Sequence, residues 1–274
     1  ILEIVNNTDA TFTTAANYAV TLSDTASIAN ANTIDADTTG VVTATIASDS
    51  AANLATLSGT GNAYTITTSG TDASALELNT INDATTVTMT SSSITTITSS
   101  AVADVKTMIT NKADIGLDSD YTVTLSDATV LVADVNIIDA DTSGVITATI
   151  VTDTVSNLLS LSGTGHAYTI TTSGTDASAT DLTTLDGKTS VNVDASSITD
   201  ITSSTITDVK TLVTNSTTAG IDEDWNVVIS DTTVSAADAK AVNVGTSGTI
   251  DISNATTISS STTACLLYTS DAAD

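Results

Sequence analysis

Apolar and polar residues alternate in short segments along the chain. In residues 121–125, Tyr121, Val123 and Leu125 fall on one side of an extended chain and Thr122 falls on the other. A period of two is typical of a strand with one buried face. Such segments recur about every 22 to 23 residues, a solenoid period. The predicted strands lie at Val20, Val42, Tyr64, Val87, Val123, Ile146, Tyr168, Val191, Val227 and Ile250.

Between these strands the apolar spacing becomes helical. Residues 204–215 carry apolar side chains at i, i+3, i+6 and i+7 from Ile206, and residues 100–111 repeat this spacing from Val102. Shorter helical turns are predicted at 133–138, 181–185 and 236–242. Strand, turn and helix in this order predict an α/β solenoid with a parallel sheet of stacked repeats. An all-β right-handed parallel β-helix stays open as the alternative, because short apolar runs fit either structure.

The sequence also repeats itself at an offset of 104 residues. Residues 57–75 recur as residues 161–179 with one change, Asn62 to His166. We therefore expect one continuous solenoid built from copies of a long repeat. Its predicted parts are a partial preceding repeat (1–17), long repeat 1 (18–120), long repeat 2 (121–224), a partial third repeat (225–264) and a terminal segment (265–274).

The terminal segment, residues 265–274, resembles a translated transposase adaptor from shotgun sequencing libraries. All ten residues match in one reading frame, so we expect a scar that takes no part in the fold. The rest of the chain then has no cysteine, because Cys265 is the one cysteine in the sequence. This excludes a disulfide framework, a thiolate metal site and a cysteine nucleophile.

Composition narrows the function classes. The chain has 32 acidic residues against 5 basic ones, giving a formal net charge of −27, and all five basic residues are lysines. Binding to nucleic acid or to an anionic membrane surface is electrostatically opposed, and no apolar run is long enough to span a bilayer. Hydrophobic residues still make up 41% of the chain, which is enough for an ordered core.

Catalytic motifs are incomplete. The sole histidine, His166, lies in a predicted turn where the other copy has an asparagine, and no oriented partner for it is indicated. The triplet 187–189 (Gly-Lys-Thr) resembles the end of a phosphate-binding loop but has Leu182 where that loop needs glycine. We therefore expect no enzyme, no catalytic residue and no organic cofactor.

Two Asp-rich segments are weak candidates for calcium binding. The candidate ligands are Asp139, Asp141 and Ser143, with Asp35 and Asp37 in the other copy. Oxygen side chains at alternating positions before a glycine begin a calcium loop, but both copies have isoleucine where an EF-hand needs its bidentate glutamate. A solvated Asp-rich turn is the alternative interpretation.

Paired threonines on the predicted strands form a second candidate surface. If the strands stack, their hydroxyl groups form two columns that resemble the face of ice-binding solenoids. The alternative is that threonine is simply a good β-former for a water-facing position. This candidate ice- or ligand-binding face comprises Thr43, Thr45, Thr65, Thr67, Thr122, Thr124, Thr147, Thr149, Thr169 and Thr171.

Three low-complexity motifs carry a family resemblance. Val-Thr-Leu-Ser-Asp (123–127), Ala-Asp-Val-Asn (133–136) and Ile-Asp-Ala-Asp-Thr-Ser-Gly (138–144), with their copies, resemble giant secreted cell-surface strand-repeat proteins of marine bacteria, including cyanobacteria. The resemblance implies an adhesin-like structural segment of a longer extracellular or cell-surface protein. Its expected partners are flanking repeats of the same chain and extracellular polymers, and no functional residue can be carried over.

Overall fold

The computed structural model describes residues 15–259, which form two compact units. Among the described residues, the first unit comprises 15–128 and 137–146, and the second comprises 129–136 and 147–259. The predicted scar at 265–274 lies outside the described residues, as do most of the predicted partial repeat 1–17 and the end of the repeat 225–264.

Short strands, most of two to four residues, run through both units. Every strand pair within each unit is parallel, and the pairs or sheets are β1–β2–β4, β3–β5 and β6–β7–β8 in the first unit, then β9–β11, β10–β12, β13–β14–β15–β17 and β16–β18 in the second. Their bounds are β1 (Val20–Thr21), β2 (Val42–Thr45), β3 (Asp49–Ser50), β4 (Ala63–Thr65), β5 (Thr68–Ser69), β6 (Asp72–Ser74), β7 (Thr96–Ser100), β8 (Thr122–Leu125), β9 (Ile146–Thr149), β10 (Asp153–Thr154), β11 (Ala167–Thr169), β12 (Thr172–Ser173), β13 (Asp176–Ala177), β14 (Asp200–Ser204), β15 (Asn226–Ile229), β16 (Thr233–Ser235), β17 (Ile250–Asp251) and β18 (Thr257–Ser259).

Helices connect the strands, so the predicted α/β class is confirmed and the all-β alternative is wrong. Helices occur at all five predicted places, and further helices that were not predicted include the ten-residue α1 and α3. The helices of the described chain are α1 (Ile28–Asp37), α2 (Ala51–Leu54), α3 (Ala75–Ala84), α4 (Val102–Thr110), α5 (Lys112–Ile115), α6 (Val132–Asp139), α7 (Val155–Leu158), α8 (Ala179–Asp186), α9 (Ile206–Thr214), α10 (Ser216–Ala219) and α11 (Ala236–Asn243).

Hydroxyl side chains determine where most of these helices begin. In each case the side-chain oxygen of the N-cap residue accepts a hydrogen bond from the backbone N–H three residues later. At α3, Ser74 and Glu77 form a complete capping box, because the Glu77 carboxylate also accepts from the Ser74 N–H at 2.8 Å. The hydroxyl caps are Ser27, Ser50, Ser74, Thr154, Ser178, Thr205 and Ser235.

Two strand predictions are wrong, those at Val87 and Val191. Around Val87 the chain makes only isolated bridges, at Thr85 and Thr90. Between them the Val87 N–H bonds to the Thr85 hydroxyl at 3.1 Å, and the Met89 N–H bonds to the C=O of Asp114 at 2.7 Å. The backbone groups that a strand would pair with a neighbour are therefore used elsewhere. Around Val191 the same arrangement recurs.

In the described part of the chain, the core is aliphatic and includes four fully buried large aromatic residues. Tyr64, Tyr121, Tyr168 and Trp225 are each no more than 1% exposed. Tyr64 and Tyr168 lie within β4 and β11, whereas Tyr121 and Trp225 directly precede β8 and β15. Burying one aromatic side chain contributes about 1.5–3 kcal/mol.

A recurring threonine binds each of these four aromatic residues, and also the half-buried Tyr18, to the segment that follows it. Its Oγ1 donates to the aromatic residue's C=O at 2.5–2.7 Å and accepts from the N–H two residues further on at 2.9–3.1 Å. We call this arrangement the threonine clamp. The aromatic and threonine pairs, 20 or 21 residues apart, are Tyr18 and Thr38, Tyr64 and Thr85, Tyr121 and Thr142, Tyr168 and Thr189, and Trp225 and Thr246.

Aspartate and asparagine side chains add further bonds between successive segments. In the first unit the Asp127 carboxylate accepts the Val102 N–H at the start of α4, at 2.7 Å. In the second unit Asp231 does the same for Ile206 at 2.6 Å. The carboxylate therefore satisfies a donor that a helix N-terminus leaves unpaired. This explains the aspartate that ends the Val-Thr-Leu-Ser-Asp motif.

Candidate functional site

The first pair of calcium candidates lies in a helix rather than in a loop. Asp35 and Asp37 belong to the last turn of α1. Asp35 accepts hydrogen bonds from the Asn62 side-chain amide at 2.7 Å and the Ser58 hydroxyl at 3.2 Å, whereas Asp37 accepts one from the Tyr18 hydroxyl. The two carboxylates are therefore held by different partners.

The second set is also divided among partners. Asp139 is the last residue of α6, and Asp141 lies beyond it and accepts from Tyr121 and Lys112. Ser143 is exposed and donates its N–H to the Ser119 C=O at 2.8 Å. Across residues 15–259, no three His, Cys, Asp or Glu side chains cluster in an arrangement able to hold a metal ion. Calcium binding stays a prediction.

An open cleft lies beside Asp35. Its volume is about 270 Å³, and its lining includes Asp35, Gly59, Thr60 and Asn62. Gly59 has φ +76°, and a Cβ there would come within 2.4 Å of the Asp35 carboxylate, so close approach requires glycine. Burial, together with the nearby Asp35 charge, raises the pKa of Tyr64 to about 12. The cleft thus offers a carboxylate and hydroxyl groups.

A lysine, a carboxylate and a tyrosine form a largely enclosed charged cluster in the first unit. The Lys112 Nζ lies 3.0 Å from Asp141 Oδ2, and these side chains are only 16% and 19% exposed. Tyr121, fully buried, donates its hydroxyl to the same Oδ2 at 2.6 Å. Lys112 Nζ also donates to Ser119 Oγ at 2.8 Å and to the Asp141 C=O at 3.1 Å. Burial and the hydrogen bond to Asp141 raise the pKa of Tyr121.

A second ion pair lies in the second unit and is more exposed. Lys210 Nζ contacts Asp238 Oδ1, and the two side chains are 42% and 33% exposed. Hydrogen bonds from Lys210 and from the Ser235 hydroxyl lower the pKa of Asp238. Exposed pairs of this kind contribute little to stability.

The candidate threonine face points outward but does not form two regular columns. Eight of its ten threonines are exposed, and Thr122 and Thr171 are half-buried. Thr45 pairs with Thr65 and Thr149 with Thr169, whereas Thr43 pairs with Ala63. The first threonine of each following pair lies opposite the second threonine of the preceding pair. An alanine therefore lies opposite the remaining threonine and interrupts one of the expected columns in each unit.

The dismissed catalytic motifs occupy structural positions. His166 is buried, with its ring centroid 5.0 Å from that of Tyr168, and its C=O accepts the Ser190 N–H at 2.8 Å. In the triplet 187–189, Thr189 is the clamp threonine for Tyr168. Its hydroxyl is therefore committed to the backbone.

Sequence reasoning missed both the threonine clamp and the Lys112 cluster. The clamp had a visible signal, since a threonine follows each Tyr or Trp by 20 or 21 residues at five places. The cluster had none, because Lys112 and Asp141 are 29 residues apart and only the fold brings them together.

Comparison with known proteins assigns the chain to no family. No protein-family model, curated protein or solved structure matches the chain. Within the described part of the chain, no helix has the length and apolar character needed to cross a bilayer.

Proposed function

We propose that the chain is a non-enzymatic structural segment of a large secreted or cell-surface bacterial repeat protein, working as a spacer or adhesive layer. The observation that carries this proposal is the threonine clamp, which repeats at each buried aromatic residue and ties one segment to the next. A contact that recurs along the chain between neighbouring segments is typical of repeat architectures, in which each repeat is stabilised by its neighbours.

On this proposal each unit is a stretch of α/β solenoid, its coil being one strand, turn and helix. Support comes from the parallel pairing of successive strands and from helices placed between them. The acidic, arginine-free composition suits an extracellular role at high ionic strength, where screening within about 8 Å or less limits self-repulsion.

Single-molecule pulling of the full chain tests the spacer proposal. We expect stepwise extension, each step releasing about one coil of 20 to 26 residues, or about 65–95 Å of contour length at 3.3–3.6 Å per residue. We also expect refolding when the force is relaxed, because contacts are between neighbouring segments. Extension of the whole chain in one all-or-none step would contradict a segmented spacer.

An ice- or ligand-binding face is the second candidate, favoured by the exposed threonines that pair across neighbouring strands at Thr45–Thr65 and Thr149–Thr169. If this face binds ice, crystals grown with the protein should be faceted. Thr149→Tyr should abolish the facets, while the matched change Thr207→Tyr, at an exposed helical threonine away from the strands, should leave them. Round, unshaped crystals with the unaltered chain count against ice binding.

A further inference from the structure

We propose that Lys112 and Asp141 condense into a side-chain amide, an intramolecular covalent crosslink within the first unit. The two residues are 29 positions apart, and their Nζ and Oδ2 atoms lie 3.0 Å from each other. The bond would join the start of α5 to the segment after α6. It would make permanent a contact that is otherwise only electrostatic.

The reacting groups are already held in position. Lys112 Nζ is fixed by the Ser119 hydroxyl at 2.8 Å and by the Asp141 C=O at 3.1 Å, which leaves the amine beside the carboxyl group. Effective concentrations in well-oriented intramolecular reactions reach about 10⁵–10⁸ M. Holding the two groups together therefore lowers the barrier to a condensation that is slow between free molecules.

Burial also favours the product. Lys112 and Asp141 are 16% and 19% exposed, so both charges have lost most of their hydration. An ion pair in such surroundings retains a desolvation penalty that its mutual attraction offsets only in part. The amide carries no charge, so its formation removes that penalty.

The chemistry balances without any other reactant. Lys112 passes one proton to the Asp141 carboxylate, and the neutral Nζ attacks Cγ. The Nζ–Cγ bond forms and the Cγ–Oδ1 bond breaks, and a second Nζ proton leaves with Oδ1 as water. The third proton remains as the amide N–H, and the charges of the lysine and the carboxylate cancel.

Tyr121 has a defined part in this step. Its hydroxyl donates to Asp141 Oδ2 at 2.6 Å, which is the oxygen that becomes negative in the tetrahedral intermediate and remains as the amide oxygen. A donor already aimed at a developing oxyanion lowers the barrier. The tyrosine keeps its own proton throughout.

The rest of the chain provides a matched control. The Lys210–Asp238 pair has the same two residue types, but its side chains are 42% and 33% exposed, and the other side-chain donor to Asp238 is the Ser235 hydroxyl. Lacking both the burial and the tyrosine donor, it should stay an ion pair. At the positions 104 residues after Lys112, Tyr121 and Asp141, the sequence has Ser216, Trp225 and Gly245, so the cluster does not recur there.

Intact-mass measurement of the full, reduced and denatured chain tests the proposal. We expect a mass lower than that of the sequence by one water, and a branched peptide that joins Lys112 to Asp141 after digestion. Lys112→Arg should restore the full mass, and Lys210→Arg should leave the deficit unchanged. Asp141→Asn should lose one ammonia instead of water, because the same amide then forms from a carboxamide.

Tyr121→Phe should give a smaller crosslinked fraction in chains whose circular dichroism matches the unaltered protein. The full sequence mass in the native chain overturns the proposal, and so does a deficit that survives Lys112→Arg, since this would arise from dehydration elsewhere. If Lys112→Arg fails to fold, the branched peptide of the native chain decides alone. The spacer proposal does not depend on this bond and is judged by the pulling experiment.

Discussion

Replacing Gly116, the C-cap residue of α5, by alanine should strongly destabilise the first unit. Gly116 ends α5 with φ +66°, and its N–H bonds to the Lys112 C=O at 2.9 Å. An L-residue in this conformation costs about 1–2 kcal/mol. The added Cβ would also lie 2.3 Å from the backbone oxygen of Met89, so the backbone must shift. We expect a further loss of about 1–3 kcal/mol from this overpacking.

Gly61→Ala is the matched control for this change. Gly61 has a similar φ of +73°, but nothing lies within 4 Å of a Cβ built there. It should therefore show only the conformational cost, partly offset by about 0.4–1 kcal/mol from the stiffer unfolded chain. Urea unfolding gives both free energies. Equal losses in the two variants would mean that the contact with Met89 is not the cause.

Hydrogen exchange adds a local measurement to the same comparison. The Met89 N–H bonds to the Asp114 C=O at 2.7 Å, and the Ser91 N–H bonds to the Gly116 C=O at 3.1 Å. Displacing the Met89 backbone should weaken both bonds. Both amides should exchange faster in Gly116→Ala and at the unaltered rate in Gly61→Ala.

Periodicity predicted α4 and α9 well because their apolar spacing is unambiguous, whereas the ten-residue helices α1 and α3 were not predicted. The predicted helix at 204–215 is α9, Ile206–Thr214, and its buried side chains are the predicted Ile206, Val209 and Leu212. Its start is set locally by the Thr205 cap. A nine-residue amphipathic pattern with its own cap can be recognised without long-range information.

Periodicity gave wrong strand predictions where side chains, rather than a neighbouring strand, bind the backbone N–H groups. Val87 and Val191 lie in segments with the apolar and polar alternation of a strand. The hydroxyl of the threonine two residues earlier, however, accepts a hydrogen bond from the N–H of each valine. The alternation around these valines does not distinguish a clamp threonine from a threonine on a strand. Only the 20- or 21-residue spacing from an aromatic residue separates them.

The candidate surfaces show the same limit. That the threonines face water follows from alternation alone, as Thr45 and Thr65 show. The register of the threonines does not follow from alternation. Thr43 pairs with Ala63, and this pairing depends on the length of the intervening loop. In the same way, the pairing of Lys112 with Asp141 depends on how the start of α5 packs against the segment after α6.

Replacing the clamp threonine Thr142 by valine should cost about 2–6 kcal/mol. Valine keeps the shape of threonine and removes the hydroxyl, which donates to the Tyr121 C=O and accepts the Gly144 N–H at 3.1 Å. Thr142 is only 5% exposed, so water cannot readily replace the lost partner. Two backbone groups are then left unpaired at about 1–3 kcal/mol each.

Two further variants make this prediction specific to the hydroxyl. Thr142→Ser keeps both hydrogen bonds and should recover most of the stability, losing only about 0.8 kcal/mol per buried methyl-sized group. Thr124→Val changes an exposed threonine on β8 and should shift the free energy of unfolding by no more than about 0.5 kcal/mol. Urea unfolding of the three variants should therefore rank Thr142→Val well below the others. If Thr142→Val matches Thr124→Val, the clamp does not hold the segments together, and the observation that carries the spacer proposal loses its force.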